Sequence, residues 1–151
     1  MGKKKYKGEE AEKKHCQKYY IIRTSWLYGL NGKNFVETMI SLQNSPSLKV
    51  VDDQYGCPTW TKDLADALIK TLEKENYGIY HICGSNYISW YGFAKKIFEL
   101  LDIKTSLQPV KTKDYNSRAQ RPKYSVMDNN QSCRSWELAL IDYIKLRNKD
   151  K

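Results

Sequence analysis

Tyr19-Tyr20-Ile21-Ile22-Arg23-Thr24-Ser25-Trp26-Leu27-Tyr28-Gly29 is the stretch that decides the fold. Its aromatic and β-branched start reads as a short strand entering Arg23-Thr24. Ser25 to Gly29 then leaves the strand, and Asn31-Gly32 marks a turn. The next element is a helix, not a hairpin partner. Asn34 can cap it, and Phe35, Val36, Met39, Ile40 and Leu42 supply its apolar face. Pro46 lies beyond its end, and residues 48–51 read as a second strand. After a loop over 52–58, Thr61 is placed to cap a helix carrying Leu64, Ala65, Leu68, Ile69 and Leu72 at the 3.6 period. Gly78 opens a strand over 79–83 that Gly84 ends. Ser89 caps a helix with Phe93, Ala94, Ile97, Phe98, Leu100 and Leu101 inward. A strand over 106–110, a long polar stretch over 111–134 and a helix over 136–146 complete the chain. Upstream, residues 3–16 form a charged helix with a thin stripe of Tyr6, Ala11 and Cys16.

Strands alternating with helices predict an α/β protein with parallel strands. In such folds ligands sit beyond the carboxyl ends of strands. That rule points to residues 25–29 and 84–86. A polar stretch as long as 111–134 in a compact domain is also expected to be functional. The chain has no strand leading into G-x-G-x-x-G and no phosphate-binding P-loop.

The 151 residues fit one domain, and 40% hydrophobic with 13% aromatic residues argues against disorder. No apolar run reaches the roughly 20 residues of a membrane helix. No apolar stretch follows the basic Met1-Gly2-Lys3-Lys4-Lys5, so a secretory signal is not expected. The net charge of +9 suggests a polyanion partner until it is located. Residues 1–18 hold seven Lys against three Glu, and residues 145–151 hold four basic residues against Asp150. The body is nearly neutral, which argues against a nucleic-acid face.

The four cysteines, Cys16, Cys57, Cys83 and Cys133, are widely spaced and form no C-x-x-C pair. They read as buried thiols of a reduced, cytoplasmic protein rather than as a zinc site or a disulfide framework. His81 and Cys83 would share a strand face, but two ligands do not make a metal site. Asp52-Asp53 read as turn residues. Ser25 has no visible His and Asp partners for hydrolysis.

Five short motifs then line up: Arg23-Thr24-Ser25-Trp26-Leu27-Tyr28-Gly29, Gly32-Lys33-Asn34-Phe35, Asp53-Gln54-Tyr55-Gly56-Cys57-Pro58-Thr59, Gly78-Ile79-Tyr80-His81 and Arg121-Pro122. Their order and spacing resemble the C-terminal half of the dTDP-4-dehydrorhamnose reductase family of extended short-chain dehydrogenases/reductases. The resemblance covers about residues 1–128. It implies the second half of a nucleotide-binding α/β fold, without the N-terminal Rossmann half. Residues 1–30 and 76–86 would be a remnant of the nucleotide-binding sheet layer, and residues 31–75 and 87–151 the substrate-binding region. It implies NADPH or NADH as cofactor and a dTDP-sugar nucleotide as ligand, in deoxysugar and cell-wall polysaccharide precursor synthesis.

The family's catalytic signature is Tyr-x-x-x-Lys, whose i,i+4 spacing stacks both side chains on one helix face. A nearby ammonium lowers the phenol's pKa toward neutrality. The resemblance puts Lys5 on the family's Lys position, which also contacts cofactor, and Met1 on the Tyr position. A thioether donates no proton, and Tyr6 points elsewhere around the helix. The chain alone is therefore expected to be inactive, a fragment of a domain about twice its size.

Trp26 lies just past a strand end and offers a flat apolar face and an N–H donor. The resemblance makes it a contact of the deoxysugar nucleotide. Asn34 caps its helix, where a pyrophosphate could also sit. Arg121 carries a fork of donors suited to phosphate. Gln54, Pro58 and Thr59 are expected near the site. After Arg121-Pro122-Lys123-Tyr124-Ser125 the family has a longer stretch than residues 129–134 provide, so the C-terminal packing is expected to differ. Strands lacking their neighbours should favour a homo-oligomer or a separate N-terminal half chain. The alternative is a non-catalytic subunit resembling the superfamily's regulatory subunit of methionine adenosyltransferase.

Overall fold

Parallel pairing between strands far apart in sequence organises the chain, and each such pair needs a crossover to return the backbone. The computed structural model describes residues 2–115, 121–128 and 133–149, with side chains from residue 6 onward. Helix α1 (Gly2–His15) leads to β1 (Tyr20–Arg23) and β2 (Leu27–Tyr28), then α2 (Phe35–Ser41). Strands β3 (Ser47–Val51), β4 (Tyr55–Gly56) and β5 (Thr59–Trp60) precede α3 (Thr61–Leu72). Strands β6 (Gly78–His81) and β7 (Ile88–Ser89), helix α4 (Trp90–Leu100), strand β8 (Ser106–Val110), a 3₁₀ turn (Thr112–Asp114) and α5 (Trp136–Lys149) complete the order.

Three strand pairs are parallel. Strand β1 runs beside β6, Tyr20 opposite Gly78 and Arg23 opposite His81. Strand β2 runs beside β5, and β3 beside β8. The short β4–β7 pair is antiparallel. The α/β alternation read from the sequence is present, as four separate two-stranded pairs among the described residues.

Two apolar clusters fill the interior. In the larger, Phe93, Ala94, Ile97 and Phe98 of α4 meet Val36, Met39 and Ile40 of α2 and Trp136, Leu140 and Tyr143 of α5. The smaller joins Tyr80, Ile82 and Cys133 to Tyr20, Ile22, Leu64 and Leu68 under α3. Helix α1 is tied to β1 by Glu9, whose carboxylate accepts from Arg23 Nε at 3.1 Å and Nη2 at 2.5 Å. Arg23 Nη1 also lies 3.4 Å from His81 Nε2, and His81 Nδ1 lies 3.0 Å from the Asp128 carbonyl.

Asn34 and Ser89 cap α2 and α4 as expected, accepting from the amides of Glu37 and Gly92. Thr61 does not cap α3. The cap position is Trp60, whose side chain makes no capping bond. Thr59 and Trp60 are held in β5, so the backbone enters the helix straight from a strand and Thr61 is already its first residue. The inward face of α3 also differs from expectation. Leu64 and Leu68 pack inward, joined by Ala67 and the fully buried Thr71. Ala65 is exposed, and Ile69 and Leu72 stand 57% and 52% exposed. Leu42 follows α2 as its C-cap and is also exposed.

Helices α2 and α5 are clamped together at Glu37. Its carboxylate accepts from Arg147 Nε at 2.7 Å and Nη2 at 3.0 Å. The Tyr143 hydroxyl, fully buried, shares its hydrogen between Glu37 Oε1 at 2.6 Å and the Gly29 carbonyl at 3.1 Å. Removing that hydroxyl takes one donor from two acceptors that each keep another, Arg147 on Glu37 and Asn34 on the Gly29 carbonyl. Tyr143→Phe is therefore expected to cost about 0.5–1.5 kcal/mol, seen as a lower urea midpoint with an unchanged slope.

Candidate functional site

The segment Asp52 to Thr59 supplies the frame of the site. The Ser89 hydroxyl, which caps α4, donates to Asp52 Oδ1 at 2.5 Å. Asp53 Oδ1 accepts from the Thr112 amide at 2.8 Å and the Thr112 hydroxyl at 2.6 Å. Gln54 is buried and donates from Nε2 to Thr112 Oγ1 at 3.1 Å. The Tyr55 amide donates to the Lys123 carbonyl, and its own carbonyl accepts from Ser125. The segment thus anchors the start of α4, the turn after β8 and residues 123–125 together.

A cleft of about 340 Å³ opens beside this frame. Phe35, Val50 and Trp90 give it an aromatic and apolar wall, Gln54 and Thr112 a polar one, and Arg121 a cation. Arg121 is exposed and forms no ion pair among the described residues. A larger groove of about 630 Å³ runs along α3, but it mixes Asp63, Asp66 and Glu73 with Lys70, Lys74 and Arg134. Interleaved charges of both signs give it no preference for an anion.

Trp26 stands behind the cleft. Its ring stacks on Trp90 with centroids 3.4 Å apart and planes 5° from parallel, and Phe35 sits 4.4 Å from Trp90. Trp26 takes a left-handed backbone conformation, φ 47°, where an L side chain is strained. The strain is held by the Thr59 amide, which donates to the Trp26 carbonyl at 3.1 Å. Gly56 makes room for the indole, since a Cβ there would overlap it. The expected site residues Gln54 and Arg121 therefore share one cleft, with Trp26 stacked on its wall.

Asn34 directly precedes Phe35, and its side chain is engaged locally. Nδ2 donates to the Gly29 carbonyl at 2.8 Å, and Oδ1 accepts from the Glu37 amide at 3.1 Å. Pro58 and Thr59 are buried away from the cleft. Thr59 Oγ1 donates to the Cys57 carbonyl and accepts from the Gly84 amide. They position the segment rather than line the cleft. Lys5 lies in α1, and its side chain is outside the described residues, as is Met1. Sequence reading missed Trp90, Phe35 as a cleft residue, Thr112 and Tyr115. An aromatic pair at a helix start and in the first turn of another was the only available signal.

The RmlD substrate-binding domain model matches residues 1–146, and the chain belongs to that family. The Bacillus subtilis spore coat polysaccharide biosynthesis protein SpsK is 43% identical over 153 residues, covering 97% of this chain and 54% of that protein. The dTDP-4-dehydrorhamnose reductase of Aggregatibacter actinomycetemcomitans is 40% identical over 140 residues, covering 84% of this chain and 48% of the relative. A crystal structure of dTDP-4-dehydrorhamnose reductase from Bacillus anthracis in complex with NADP superposes with a TM-score of 0.92 at 40% identity, over 96% of this chain and 54% of that one. The chain spans about half the length of the curated relatives it matches, roughly the C-terminal half of the reductase fold.

Two outcomes test this geometry. Gly56→Ala should push the indole of Trp26 off Trp90, abolishing the exciton couplet that a face-to-face Trp pair gives in circular dichroism. Asp53 carries the second. Donation from the Thr112 hydroxyl and amide holds its carboxyl below the usual range. A depressed folded pKa gives stability that is full above the unfolded value of about 3.9 and lost as pH falls through the folded value. Protection of the Thr112 amide from exchange, taken relative to its intrinsic rate at each pH, should therefore fall on acidification below about pH 4, and Asp53→Asn should flatten that response.

Proposed function

We propose that this chain is the substrate-holding half of an NADPH-dependent reductase that converts dTDP-4-dehydro-L-rhamnose to dTDP-L-rhamnose. The cleft between Trp90 and Arg121 carries this reading. The Arg121 guanidinium can donate two parallel N–H bonds to a diphosphate. Phe35 and Trp90 offer aromatic faces to the apolar side of a deoxysugar or to the base. Gln54 and Thr112 provide polar contacts, and Asp53 holds Thr112 in place.

The fit to a dinucleotide is partial. The Thr24 hydroxyl, just past the end of β1, is buried with no hydrogen-bond partner among the described residues. A ligand group arriving at that strand end would satisfy it. The chain's sequence has no glycine-rich phosphate loop. NADPH would supply the hydride to the sugar ketone. This chain's part is to bind the sugar nucleotide, orient its ketone and shield it from water. By resemblance Lys5 stands where the family's cofactor-contacting Lys does, and Met1 where its proton-donating Tyr does.

The exposed Ile69 and Leu72 of α3, with Tyr77 beyond it, are apolar surface that the other half of the family's fold could cover.

Titrating the chain with dTDP should quench the tryptophan fluorescence of the Trp26–Trp90 stack. Arg121→Ala should weaken binding roughly tenfold or more, about 1.4 kcal/mol. NADPH oxidation with the dTDP-4-keto sugar should be undetectable for the 151-residue chain alone. Failure to bind dTDP or its sugars at all would overturn the assignment.

A further inference from the structure

Gln54 is the polar side chain of the cleft whose orientation its neighbours dictate. A side-chain amide can turn over, exchanging its acceptor Oε1 for its donor Nε2, and its hydrogen bonds determine which way it faces. Here a relay does so. The Thr112 hydroxyl donates its hydrogen to Asp53 Oδ1 at 2.6 Å, and the Thr112 amide donates to the same oxygen at 2.8 Å. These donors hold the Asp53 carboxyl below the usual carboxylate range, so at neutral pH it only accepts. With its hydrogen committed, Thr112 Oγ1 accepts from Gln54 Nε2 at 3.1 Å. Turning the amide over would set Gln54 Oε1 against the Thr112 lone pairs.

The relay leaves Oε1 and the second hydrogen of Nε2 for a ligand. Gln54 is 6% exposed and lines the cleft with Phe35, Trp90 and Arg121. Among the described residues no donor bonds Oε1, and it is not one of their sealed, unpartnered atoms. Oε1 is therefore open to solvent, on a side chain that borders the cleft.

An acceptor and a donor in fixed order discriminate between hydrogen-bonding edges. Uracil and thymine place an N3–H beside the O4 carbonyl, so N3–H meets Oε1 and O4 meets the Nε2 hydrogen. Cytosine has the opposite order, an unprotonated N3 beside a 4-amino group. In the same pose it sets acceptor on acceptor and donor on donor. Phe35 and Trp90 offer aromatic faces to the plane of the base. Arg121 can anchor the diphosphate and so fix the register in which the base arrives.

We propose that Gln54 reads the base of the ligand, held by Thr112 and Asp53 in the amide orientation that accepts uracil or thymine and rejects cytosine. The proposal rests on the reading of the cleft as a nucleoside diphosphate site. Thr112 and Asp53 act through Gln54 and are positioning residues.

Calorimetric titration of the chain with dUDP and dCDP tests it. The two share charge and sugar and differ at the base edge in question. Two mispaired hydrogen bonds predict that dUDP binds roughly tenfold or more tighter than dCDP. In Thr112→Val the amide is free to turn over, so the two affinities should converge to within about threefold, with dCDP binding tighter than it does to wild type. Thr112→Ser keeps the hydroxyl and should restore the wild-type ratio. A purely structural role for Thr112 would weaken both ligands together at an unchanged ratio, and that result would overturn the relay. Equal binding of dUDP and dCDP by wild type would overturn the proposal and leave the nucleoside diphosphate site standing. No binding of either, or of dTDP, would overturn the site and the proposal together. Should Thr112→Val fail to fold, Gln54→Met replaces it. That variant has no amide and should also bring the two affinities to within about threefold; an undiminished preference for dUDP would overturn the proposal.

Discussion

An irregular segment buried at the centre of a protein must find a partner for each backbone polar group it takes out of water. Residues 52–59 meet that requirement by reaching out to different parts of the fold. The Asp52 amide donates to the Val110 carbonyl, at the end of the β3–β8 pair. The Gln54 carbonyl accepts from the first amide of α4. The Cys57 carbonyl accepts the hydroxyls of Ser25 and Thr59. At Gly84 the backbone comes so close to the Pro58 carbonyl that a Cβ would collide with it. Displacing this segment would disturb the cap of α4, the turn after β8 and the perch of Trp26 together.

This arrangement explains why a cleft forms where several short strands end. Each two-stranded pair is too short to build a ligand site alone. The segment sets the carboxyl end of β1, the start of α4 and the turn after β8 beside one another. It brings the Trp26–Trp90 stack together with Gln54 and Thr112. The stack is mainly apolar contact, so it shapes the wall. The polar groups Gln54 and Thr112 are fixed by hydrogen bonds.

Much of the fold is legible because its elements carry strong local signals. Asn34 and Ser89 are cap residues followed by apolar residues at helical spacing, and both cap their helices. The strand over 106–110 and the parallel pairing also come from local pattern and alternation. The illegible parts depend on distant partners. The 3.6 period of α3 shows an apolar stripe but not which neighbour covers it, so it points Ala65, Ile69 and Leu72 inward when they lie outside. The cap of α3 is misread because a β5–β2 pairing, invisible locally, ends where the helix begins. Of the residues lining the candidate cleft, Gln54 and Arg121 are singled out by motifs. Trp90 is not, because its importance comes from stacking on a residue 64 positions away in a left-handed conformation.

The two apolar clusters also differ in how they are secured. The larger one is enclosed by α2, α4 and α5 and locked by the Glu37–Arg147–Tyr143 clamp. The smaller one rests on one pair of strands and one face of α3. Arg134 braces the two layers. Its Nε donates to Asp63 of α3 at 3.0 Å, its Nη1 to Asp142 of α5 at 2.6 Å, and its guanidinium carbon lies 5.5 Å from the Trp60 ring centroid. A planar guanidinium can hold two carboxylates and an aromatic face at once, which an ammonium cannot match. The layer of β1, β6 and α3 buries fewer apolar groups and depends on such cross-bracing. Its outer surface carries the exposed apolar side chains of α3.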